Sequence, residues 1–182
     1  MKLTQLDISD VIVIEPEAFK DDRGFFFEAY NQEKFNKALG KEINFVQDNQ
    51  SFSKKGVLRG LHFQKPPFQQ AKLVRVLKGE IYDVCVDLRI NSSTFGEWVG
   101  CFLSENNYKQ LFVPAGFAHG FLVTGNEAQV LYKVDNQYNS EHEECLIYND
   151  AKLNIAWPVT DILTSEKDKK GKNFKDVFKF DF

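Results

Sequence analysis

The stretch that decides the fold class is Lys72-Leu73-Val74-Arg75-Val76-Leu77-Lys78-Gly79-Glu80-Ile81-Tyr82-Asp83-Val84-Cys85-Val86-Asp87-Leu88. It holds two short apolar runs, Leu73–Leu77 and Ile81–Leu88, in which β-branched residues recur. Runs of this length and composition are typical of buried strands. The charged, glycine-containing segment Lys78-Gly79-Glu80 between them predicts a hairpin turn.

Similar runs lie on both sides of this stretch and make the chain predominantly β. They are Val11–Ile14, Phe25–Ala29, Trp98–Leu103, Gln110–Val113, Gly120–Val123 and Gln129–Val134. Thr124-Gly125-Asn126-Glu127 predicts a second turn. One short helix is predicted over Asn31–Leu39, where apolar residues follow helical spacing up to Gly40. Many short strands with few helices favour a sandwich, a jelly roll or a closed barrel.

Size and charge narrow the class of protein. The chain has 182 residues, which suits a single domain over residues 1–182, and 43% of them are hydrophobic, enough for a sizeable core. The formal net charge of −3 argues against nucleic-acid binding, which usually needs a basic surplus. No apolar run approaches the roughly 20 residues of a membrane helix, and the N-terminus lacks the pattern of a secretory signal. We therefore expect a cytoplasmic protein with no membrane or nucleic-acid partner.

Two histidines lie in segments of similar amino-acid composition, residues 56–64 and 114–121. The second segment has the spacing PxGxxH and resembles an element of the cupin barrels, which have a jelly-roll architecture. In metal-binding cupins the first element reads HxH and a glutamate follows; here it reads His62-Phe63-Gln64, and the next eight residues contain no acid. A neutral amide is a poor ligand for a divalent metal. The resemblance therefore implies an all-β, cupin-like jelly-roll β-barrel with a few short helices and no metal site.

Polar and charged residues crowd the stretch that contains His62. Together with Arg59, Gln64, Lys72 and Arg75 it falls within seventeen residues of β-like sequence. Charged side chains are seldom buried without a partner, so this density predicts a polar mouth of the barrel. A solvent-facing sheet surface is the simpler alternative, and a lone histidine in a strand is more often structural than catalytic. Composition alone does not separate these interpretations.

Six segments, in order, carry a resemblance to one enzyme family. They are Asp22–Glu28, Phe45–Ser51, Leu58–Gln64, Lys72–Val76, Asp83–Arg89 and Val113–Phe121, with Lys167-Asp168 near the end of the chain. Together they closely resemble the dTDP-4-dehydrorhamnose 3,5-epimerase family, from about residue 3 to residue 177. The resemblance implies an isomerase without a cofactor that inverts C3 and C5 of dTDP-4-dehydro-6-deoxy-D-glucose through enolates, in dTDP-L-rhamnose biosynthesis.

By this resemblance, four residues carry the chemistry. His62 is the base, because an imidazole titrates near neutral pH, and Asp168 orients its ring and stabilises the imidazolium. Tyr132 is the acid on the opposite face, and Lys72 stabilises the enolate oxygen. Each has a simpler alternative: a structural histidine, one more acid in a charged tail, a core tyrosine, and a surface lysine.

The resemblance also implies a set of substrate-binding residues. Arginine offers forked donors and lysine a point charge to the diphosphate, whereas the other polar residues suit the sugar, ribose and thymine. In chain order the set is Arg23, Glu28, Gln47, Asn49, Arg59, Asp83, His119, Tyr138, Glu143 and Lys167. Tyr138 is expected to stack on the thymine, and His119 to lie at the sugar end and pair with Asp83.

Three structural expectations accompany these roles. Strict alternation puts Arg59 and His62 on opposite faces of a strand, so we hypothesise a bulge at Gly60 that re-aims one of them. The run Phe25-Phe26-Phe27 exceeds what one strand face hides, and the resemblance implies a homodimer with N-terminal residues crossing the interface; a strand buried on both faces is the alternative. The segment from about residue 160 to 182 is expected to pack over the barrel, although its composition alone predicts a solvated first half.

Three other functions stay open at this point. Close relatives of the family invert only C3 or only C5, or isomerise the keto group. A metal-dependent cupin oxygenase would contain stoichiometric metal. A sugar-nucleotide binding protein without catalytic activity would keep its affinity in His62→Ala and turn nothing over.

Overall fold

The computed structural model describes residues 1–181 and is built mainly of antiparallel strands. Within that part of the chain there are eleven strands and two short helices. The strands are β1 (Lys2–Gln5), β2 (Ile12–Glu15), β3 (Phe19–Asp21), β4 (Gly24–Phe26), β5 (Gln47–Lys54), β6 (Leu58–Gln64), β7 (Lys72–Asp87), β8 (Trp98–Ser104), β9 (Gln110–Val113), β10 (Phe117–Val134) and β11 (Glu143–Cys145). The helices are α1 (Gln32–Leu39) and α2 (Glu166–Lys169). The sequence did not predict β1, β3, β5 or β11.

β7 and β10 are the two long strands on which the fold is built. They pair antiparallel along almost their whole length, from Lys72 opposite Val134 to Asp87 opposite Phe117. Each changes its outer neighbour half-way: β7 pairs first with β9 and then with β8, and β10 pairs first with β6 and then with β5. Strands that change neighbours in this way let one sheet fold into the two packed layers of a jelly roll.

The hairpin turns predicted at Lys78-Gly79-Glu80 and Thr124-Gly125-Asn126-Glu127 are wrong. Both segments lie inside the long strands, where Gly79 pairs with Ala128 beside shifts in register. Gly79 has a φ of +80°, and a Cβ there would lie 1.8 Å from the carbonyl oxygen of Glu127. A glycine in the left-handed region serves a bulge as well as a turn, so local sequence does not distinguish the two.

The short helix α1 confirms the helix predicted before Gly40. Asn31 is its N-cap and accepts a hydrogen bond from the backbone N–H of Lys34 at 3.1 Å. Gly40 ends the helix with a φ of 66°, in the left-handed conformation common at helix C-termini. The ring of Phe35 packs on that of Phe112, with 5.6 Å between centroids, and fastens the helix to β9.

The C-terminal segment lies over a buried cluster on the barrel. Phe174 and Phe180 are only 2% and 1% exposed and pack in this cluster with Leu146. Isolated parallel bridges tie the segment to the barrel, pairing Leu163 with Val57, Lys172 with Leu146 and Phe180 with Arg89. Phe174 and Phe180 are thus buried although the sequence around them is charged. The same segment contains α2, which contacts β6.

Candidate active site

A histidine–aspartate pair lies at the centre of the candidate site. β6 carries His62, and α2 brings Asp168 to it from 106 residues further along the chain. His62 Nε2 and Asp168 Oδ1 are 2.6 Å apart, which is the distance of a strong, charge-assisted hydrogen bond. Asp168 is 4% exposed, whereas 31% of the His62 side chain is exposed. The carboxylate is therefore inside the protein and the imidazole is accessible.

Asp168 is held as a carboxylate. Burial raises its pKa, but the hydrogen bond and the charge of His62 outweigh burial and lower the pKa overall. Ser165 is the N-cap of α2 and accepts the backbone N–H of Asp168 at 3.1 Å, which fixes the carboxylate in place. A charged Asp168 stabilises an imidazolium and holds Nε2, so that Nδ1 is the ring nitrogen able to accept a proton.

The bulge hypothesised at Gly60 is confirmed. The register of β6 against β10 shifts between Arg59 and His62, where two residues of β6 lie opposite one of β10. Gly60 has a φ of +123°, and a Cβ on it would lie 2.7 Å from Cα of Gly120. Arg59 is exposed and donates from Nε to Ser53 Oγ at 2.9 Å. The bulge removes the strict alternation that would put Arg59 and His62 on opposite faces.

A cavity of about 120 Å³ opens beside the pair. It is lined by Gln47, Asn49, His62, Phe63, Gln64, Gln70, Lys72, Tyr132, Tyr138 and Glu143. Strand geometry explains part of this convergence, because Tyr132 of β10 pairs with Asn49 of β5, and Gln47 lies two residues before Asn49 on the same face. The structure thus brings half of the residues predicted for the site to the lining of one cavity, and Asp168 lies directly behind His62.

Lys72 is the buried cation of the cavity. It is 8% exposed, and Nζ donates to the carbonyl oxygen of His62 at 3.2 Å. Burial lowers its pKa to about 8, although Asp83 and Glu143 nearby favour the charged form. Burial has the opposite effect on Tyr132, whose pKa is raised. At neutral pH the lysine is therefore mostly charged, and the phenol keeps its proton.

Glu143 connects two of the predicted substrate-binding residues. Its Oε2 accepts hydrogen bonds from the Tyr138 hydroxyl at 2.7 Å and from Lys167 Nζ at 2.5 Å. Burial raises the pKa of Glu143, but these two bonds outweigh it and lower the pKa overall. Gln47 Oε1 accepts the backbone N–H of Tyr138 at 3.3 Å. Because Tyr138 and Lys167 are exposed, an aromatic ring and an ammonium group stand at the mouth of the cavity.

The predicted pairing of His119 with Asp83 is present. His119 Nε2 lies 2.7 Å from Asp83 Oδ1, and both side chains are buried. Burial lowers the pKa of His119 against the opposing charge of Asp83, so the ring is neutral at neutral pH. His119 lies directly across the strands from His62. The pair supports the site from the protein interior and does not line the cavity.

Arg23 and Glu28 lie away from the cavity. Arg23 is in the turn between β3 and β4, and its side chain is 89% exposed and paired with Asp21. Glu28 accepts a hydrogen bond from Lys34 Nζ at 2.9 Å beside α1. Phe26, in the same hairpin, is 70% exposed, so burial of this strand on both faces within one chain is wrong. A single chain does not bring Arg23 or Glu28 into the site.

Gln64 is a structural clamp that sequence reasoning missed, because the sequence shows it only as a lost metal ligand. Its side chain is buried and donates from Nε2 to the carbonyl oxygens of Phe68 at 2.6 Å and Gln137 at 3.1 Å. Its Oε1 accepts the backbone N–H of Asn139 at 2.6 Å. Gln64 thereby joins the loop after β6 to the loop that carries Tyr138.

Cys145 is a second residue beside the pair that the sequence does not indicate. It lies opposite His62 between β11 and β6, and its Sγ is 3.9 Å from Asp168 Oδ1. Burial raises the pKa of the thiol to about 12, so it stays protonated at neutral pH. β11 has only three residues and no clear strand pattern, which is why the sequence contains no signal for this position.

We expect Gln64→Leu to destabilise the protein more than a matched change in the same loops. Loss of the amide leaves two carbonyl groups and one N–H without their partner, and each buried group left unpaired costs about 1–3 kcal/mol. Gln70→Leu is the control, because the amide of Gln70 donates one bond, to the Asn136 carbonyl oxygen at 2.7 Å. Chemical denaturation measures both variants. Equal losses of stability would contradict the clamp.

Comparison with known proteins assigns the family. The family model described as dTDP-4-dehydrorhamnose 3,5-epimerase matches residues 5–176. The chain belongs to the dTDP-4-dehydrorhamnose 3,5-epimerase family. The dTDP-4-dehydrorhamnose 3,5-epimerase of Pseudomonas aeruginosa is 55% identical to it over 97% of this chain and 98% of the relative. The resemblance noted in the sequence is thus confirmed, and with it the enzyme class, an isomerase.

Solved structures agree with this assignment. RmlC of Legionella pneumophila, a dTDP-6-deoxy-D-glucose-3,5-epimerase in complex with dTDP-4-keto-L-rhamnose, matches with a TM-score of 0.96 and 41% identity over 100% of this chain and 98% of that chain. ChmJ of Streptomyces bikiniensis, a 3'-monoepimerase in complex with dTDP-quinovose, matches with a TM-score of 0.88 and 31% identity over 94% of this chain and 87% of that chain. The predicted all-β, cupin-like jelly-roll fold is confirmed. Within residues 1–181, no helix is both long and apolar enough to cross a membrane.

Proposed function

We propose that the protein epimerises C3 and C5 of dTDP-4-dehydro-6-deoxy-D-glucose and so produces dTDP-4-dehydro-L-rhamnose for dTDP-L-rhamnose biosynthesis. The observation that carries this proposal is the His62–Asp168 pair at a cavity shared with Lys72 and Tyr132. The greater similarity to 3,5-epimerases than to the 3'-monoepimerase supports reaction at both carbons.

The reaction needs a base, an acid and a positive charge. C3 and C5 flank the C4 ketone, so loss of the proton from either carbon leaves an enolate whose charge lies largely on the C4 oxygen. Reprotonation from the opposite face inverts the carbon. The acid and base must therefore stand on opposite sides of the ring, with a cation near the ketone oxygen. The oxidation state of the sugar does not change, so the chemistry needs no redox cofactor.

His62 is the base in this scheme. Its Nε2 is held by Asp168, so Nδ1 takes the proton from carbon, and the buried carboxylate stabilises the imidazolium that results. Tyr132 donates the proton to the opposite face, since its raised pKa keeps the phenol protonated until the enolate needs it. The imidazolium of His62 then loses its proton to solvent, and the phenolate of Tyr132 regains one from solvent, so both groups are restored before the next step.

Lys72 stabilises the enolate oxygen only while its ammonium group is charged, so the rate should fall when the group loses its proton in alkaline solution. Because the pKa of Lys72 is about 8, the fraction of free enzyme in which Lys72 is charged decreases as the pH rises through that value. We expect kcat/KM to fall above about pH 8, because kcat/KM follows the ionisations of the free enzyme. In Lys72→Arg the guanidinium stays charged, so the residual kcat/KM should stay level over this range. Initial rates against pH measure both profiles; the same decline in the arginine variant would assign it to another group.

The residues at the mouth bind the nucleotide. Lys167 at the mouth supplies positive charge for the diphosphate, and the exposed ring of Tyr138 offers a stacking face to the thymine. Arg59, which is exposed but does not line the cavity, adds positive charge on the same strand as His62. Amide and carboxylate groups of the cavity hydrogen-bond the sugar and ribose. These groups belong to Gln47, Asn49 and Glu143. The buried Asp83–His119 pair supports the sugar end from the protein interior.

We infer that Arg23 and Glu28 complete the site of a partner subunit in a homodimer. They lie in and after a hairpin whose Phe19, Phe25 and Phe26 are 60%, 58% and 70% exposed. Contiguous exposed aromatic rings are typical of an interaction surface, and a second copy of the chain is the occupant that the family resemblance implies.

Subunit mixing tests this assignment. Arg23→Ala and His62→Ala should each be impaired alone, but a heterodimer of the two contains one intact site. After subunit exchange at equal concentrations we expect recovery of up to about a quarter of the wild-type activity, since half of the dimers are mixed and each has one site of two. No recovery in a sample that contains mixed dimers, or a monomer by sedimentation, would contradict the shared site.

We also propose a cytoplasmic location and a reaction without metal or cofactor. Cys85, Cys101 and Cys145 are free thiols, which suits a reducing compartment. Metal analysis and chelator treatment test the second point. Stoichiometric iron with chelator-sensitive turnover would favour the cupin oxygenase instead.

Incubation with dTDP-4-dehydro-6-deoxy-D-glucose in D2O, followed by NMR of the sugar ring, is the deciding experiment. We expect deuterium at both C3 and C5 of the product, because each carbon loses its proton and takes a new one from an exchangeable group. Exchange at a single carbon would overturn the double epimerisation. Tight binding without any exchange would identify a sugar-nucleotide binding protein.

A further inference from the structure

Three potential metal ligands meet beside the cavity. His62, Cys145 and Asp168 each offer one ligand atom, and these atoms all lie within 4.8 Å of one another. The neighbouring pair, Leu61 and Leu146, exchanges both backbone hydrogen bonds at 3.1 and 2.9 Å. His62 and Cys145 therefore form the next, non-hydrogen-bonded pair, in which opposite side chains approach most closely. Asp168 arrives from α2 on the same side.

The chemistry of these atoms selects the kind of cation. An imidazole nitrogen, a sulfur and a carboxylate oxygen are the ligands that Zn²⁺ prefers, whereas Mg²⁺ and Ca²⁺ prefer oxygen alone. Three protein ligands leave one tetrahedral position open. Cys145 and Asp168 are buried and do not line the cavity, whereas His62 does, so His62 is the member of the cluster that connects it to the cavity.

We propose that His62, Cys145 and Asp168 form an inhibitory site for Zn²⁺ or a similar thiophilic divalent cation. The cation bonds to Sγ, to Nε2 and to a carboxylate oxygen. The thiol proton leaves to solvent, and the proton of Nε2 is lost there while Nδ1 takes one up, so one proton is released for each cation bound. The ring then carries a proton on the nitrogen that should accept one, and His62 no longer acts as a base.

Metal binding and inhibition depend on different premises. Inhibition rests on the proposed function, because it requires His62 to be the base of the reaction. Binding of the cation rests only on the three side chains. A spectroscopic measurement of binding and a measurement of turnover therefore separate a failure of this inference from a failure of the proposed function.

Co²⁺ titration measures binding directly, because a cobalt–thiolate bond gives a charge-transfer absorption and a tetrahedral site gives intense visible bands. We expect one equivalent to bind wild type with both features and to be displaced by Zn²⁺. Cys145→Ala should lack the charge-transfer band and bind at least about tenfold more weakly, since even outer partners of a metal site are worth that much. Cys101→Ala is the matched control, a thiol of β8 outside the cluster. If Cys145→Ala does not fold, Cys145→Ser replaces it in the titration.

Turnover in the presence of Zn²⁺ is the second measurement. We expect Zn²⁺ to inhibit wild type and Cys101→Ala, EDTA to restore activity, and Mg²⁺ to have no effect. Cys145→Ala should need at least about tenfold more Zn²⁺ for the same inhibition. An unchanged cobalt spectrum in Cys145→Ala, or no stoichiometric binding to wild type, would overturn the site. If the enzyme turns over none of the proposed substrate, the cobalt titration by itself still shows whether the cation binds to His62, Cys145 and Asp168.

Discussion

Replacing His62 with alanine lowers kcat by roughly 10²–10⁴-fold, the contribution of a positioned general base, and by more if both epimerisation steps use the same imidazole. The buried Asp168 then has no imidazolium to stabilise, and His62 is the only histidine among the described residues that line the cavity. In D2O, exchange at C3 and C5 should fall together, because both steps begin with removal of a proton by His62. Initial rates and NMR of the sugar ring measure the two effects.

His142→Ala is the matched control for this substitution. The His142 ring packs on Phe68, with 4.7 Å between centroids, and bonds Asn139, and it does not line the cavity. We expect its turnover to stay close to wild type, and circular dichroism should show both variants folded. A near-normal rate in His62→Ala would remove the imidazole from the mechanism. Loss of exchange at one carbon only would mean that the two steps use different bases.

Tyr132→Phe should lower the rate of inversion by roughly 10²–10⁴-fold without abolishing proton removal. His62 still forms the enolate, but the opposite face lacks its donor, so the enolate takes a proton back from the side it came from. In D2O the unreacted substrate should therefore gain deuterium at C3 and C5 faster than product forms. This uncoupling distinguishes a missing acid from a missing base, which stops exchange and inversion alike.

Tyr138→Phe is the control for the phenol. Its hydroxyl donates to Glu143 at the mouth of the cavity, so its loss should weaken substrate binding and raise KM while exchange and inversion stay coupled. Coupled exchange and inversion in Tyr132→Phe, at a rate near wild type, would reassign the acid. Uncoupling in Tyr138→Phe instead would give the role to that residue.

The sequence predicts short strands well where both faces of a strand are apolar. Gln110–Val113 was predicted and is β9, and α1 ends at Gly40 as its capping residues indicate. β5 was missed because its sequence, Gln47–Lys54, is polar at nearly every position. It is a strand because its backbone pairs with β10 along all eight residues, and pairing of this kind leaves no mark on local composition.

Asp168 shows most clearly what local sequence hides. It lies among charged residues whose composition predicts a solvated tail, yet it is 4% exposed and bonded to His62. The cause is remote: Phe174 and Phe180 are buried further along the chain and hold the segment against the barrel. Burial of a carboxylate is tolerated here because the imidazole of His62 and the backbone N–H of Gly60 supply partners.

From its residues alone, this protein could be assigned to a β-barrel class and, by six ordered motifs, to a family that inverts carbons beside a ketone. Side-chain chemistry is local, so the identity of a base, an acid and a cation can be read from a sequence. Tertiary structure alone decided that His62, Lys72, Tyr132 and Asp168 meet, and that Cys145 lies beside the base. It also decided that Gly60 forms a bulge and that Gly79 lies within a long strand instead of a hairpin turn. Those outcomes depend on which backbones pair across the sheet, and pairing between distant segments is set by the burial of the whole core rather than by any one stretch of chain.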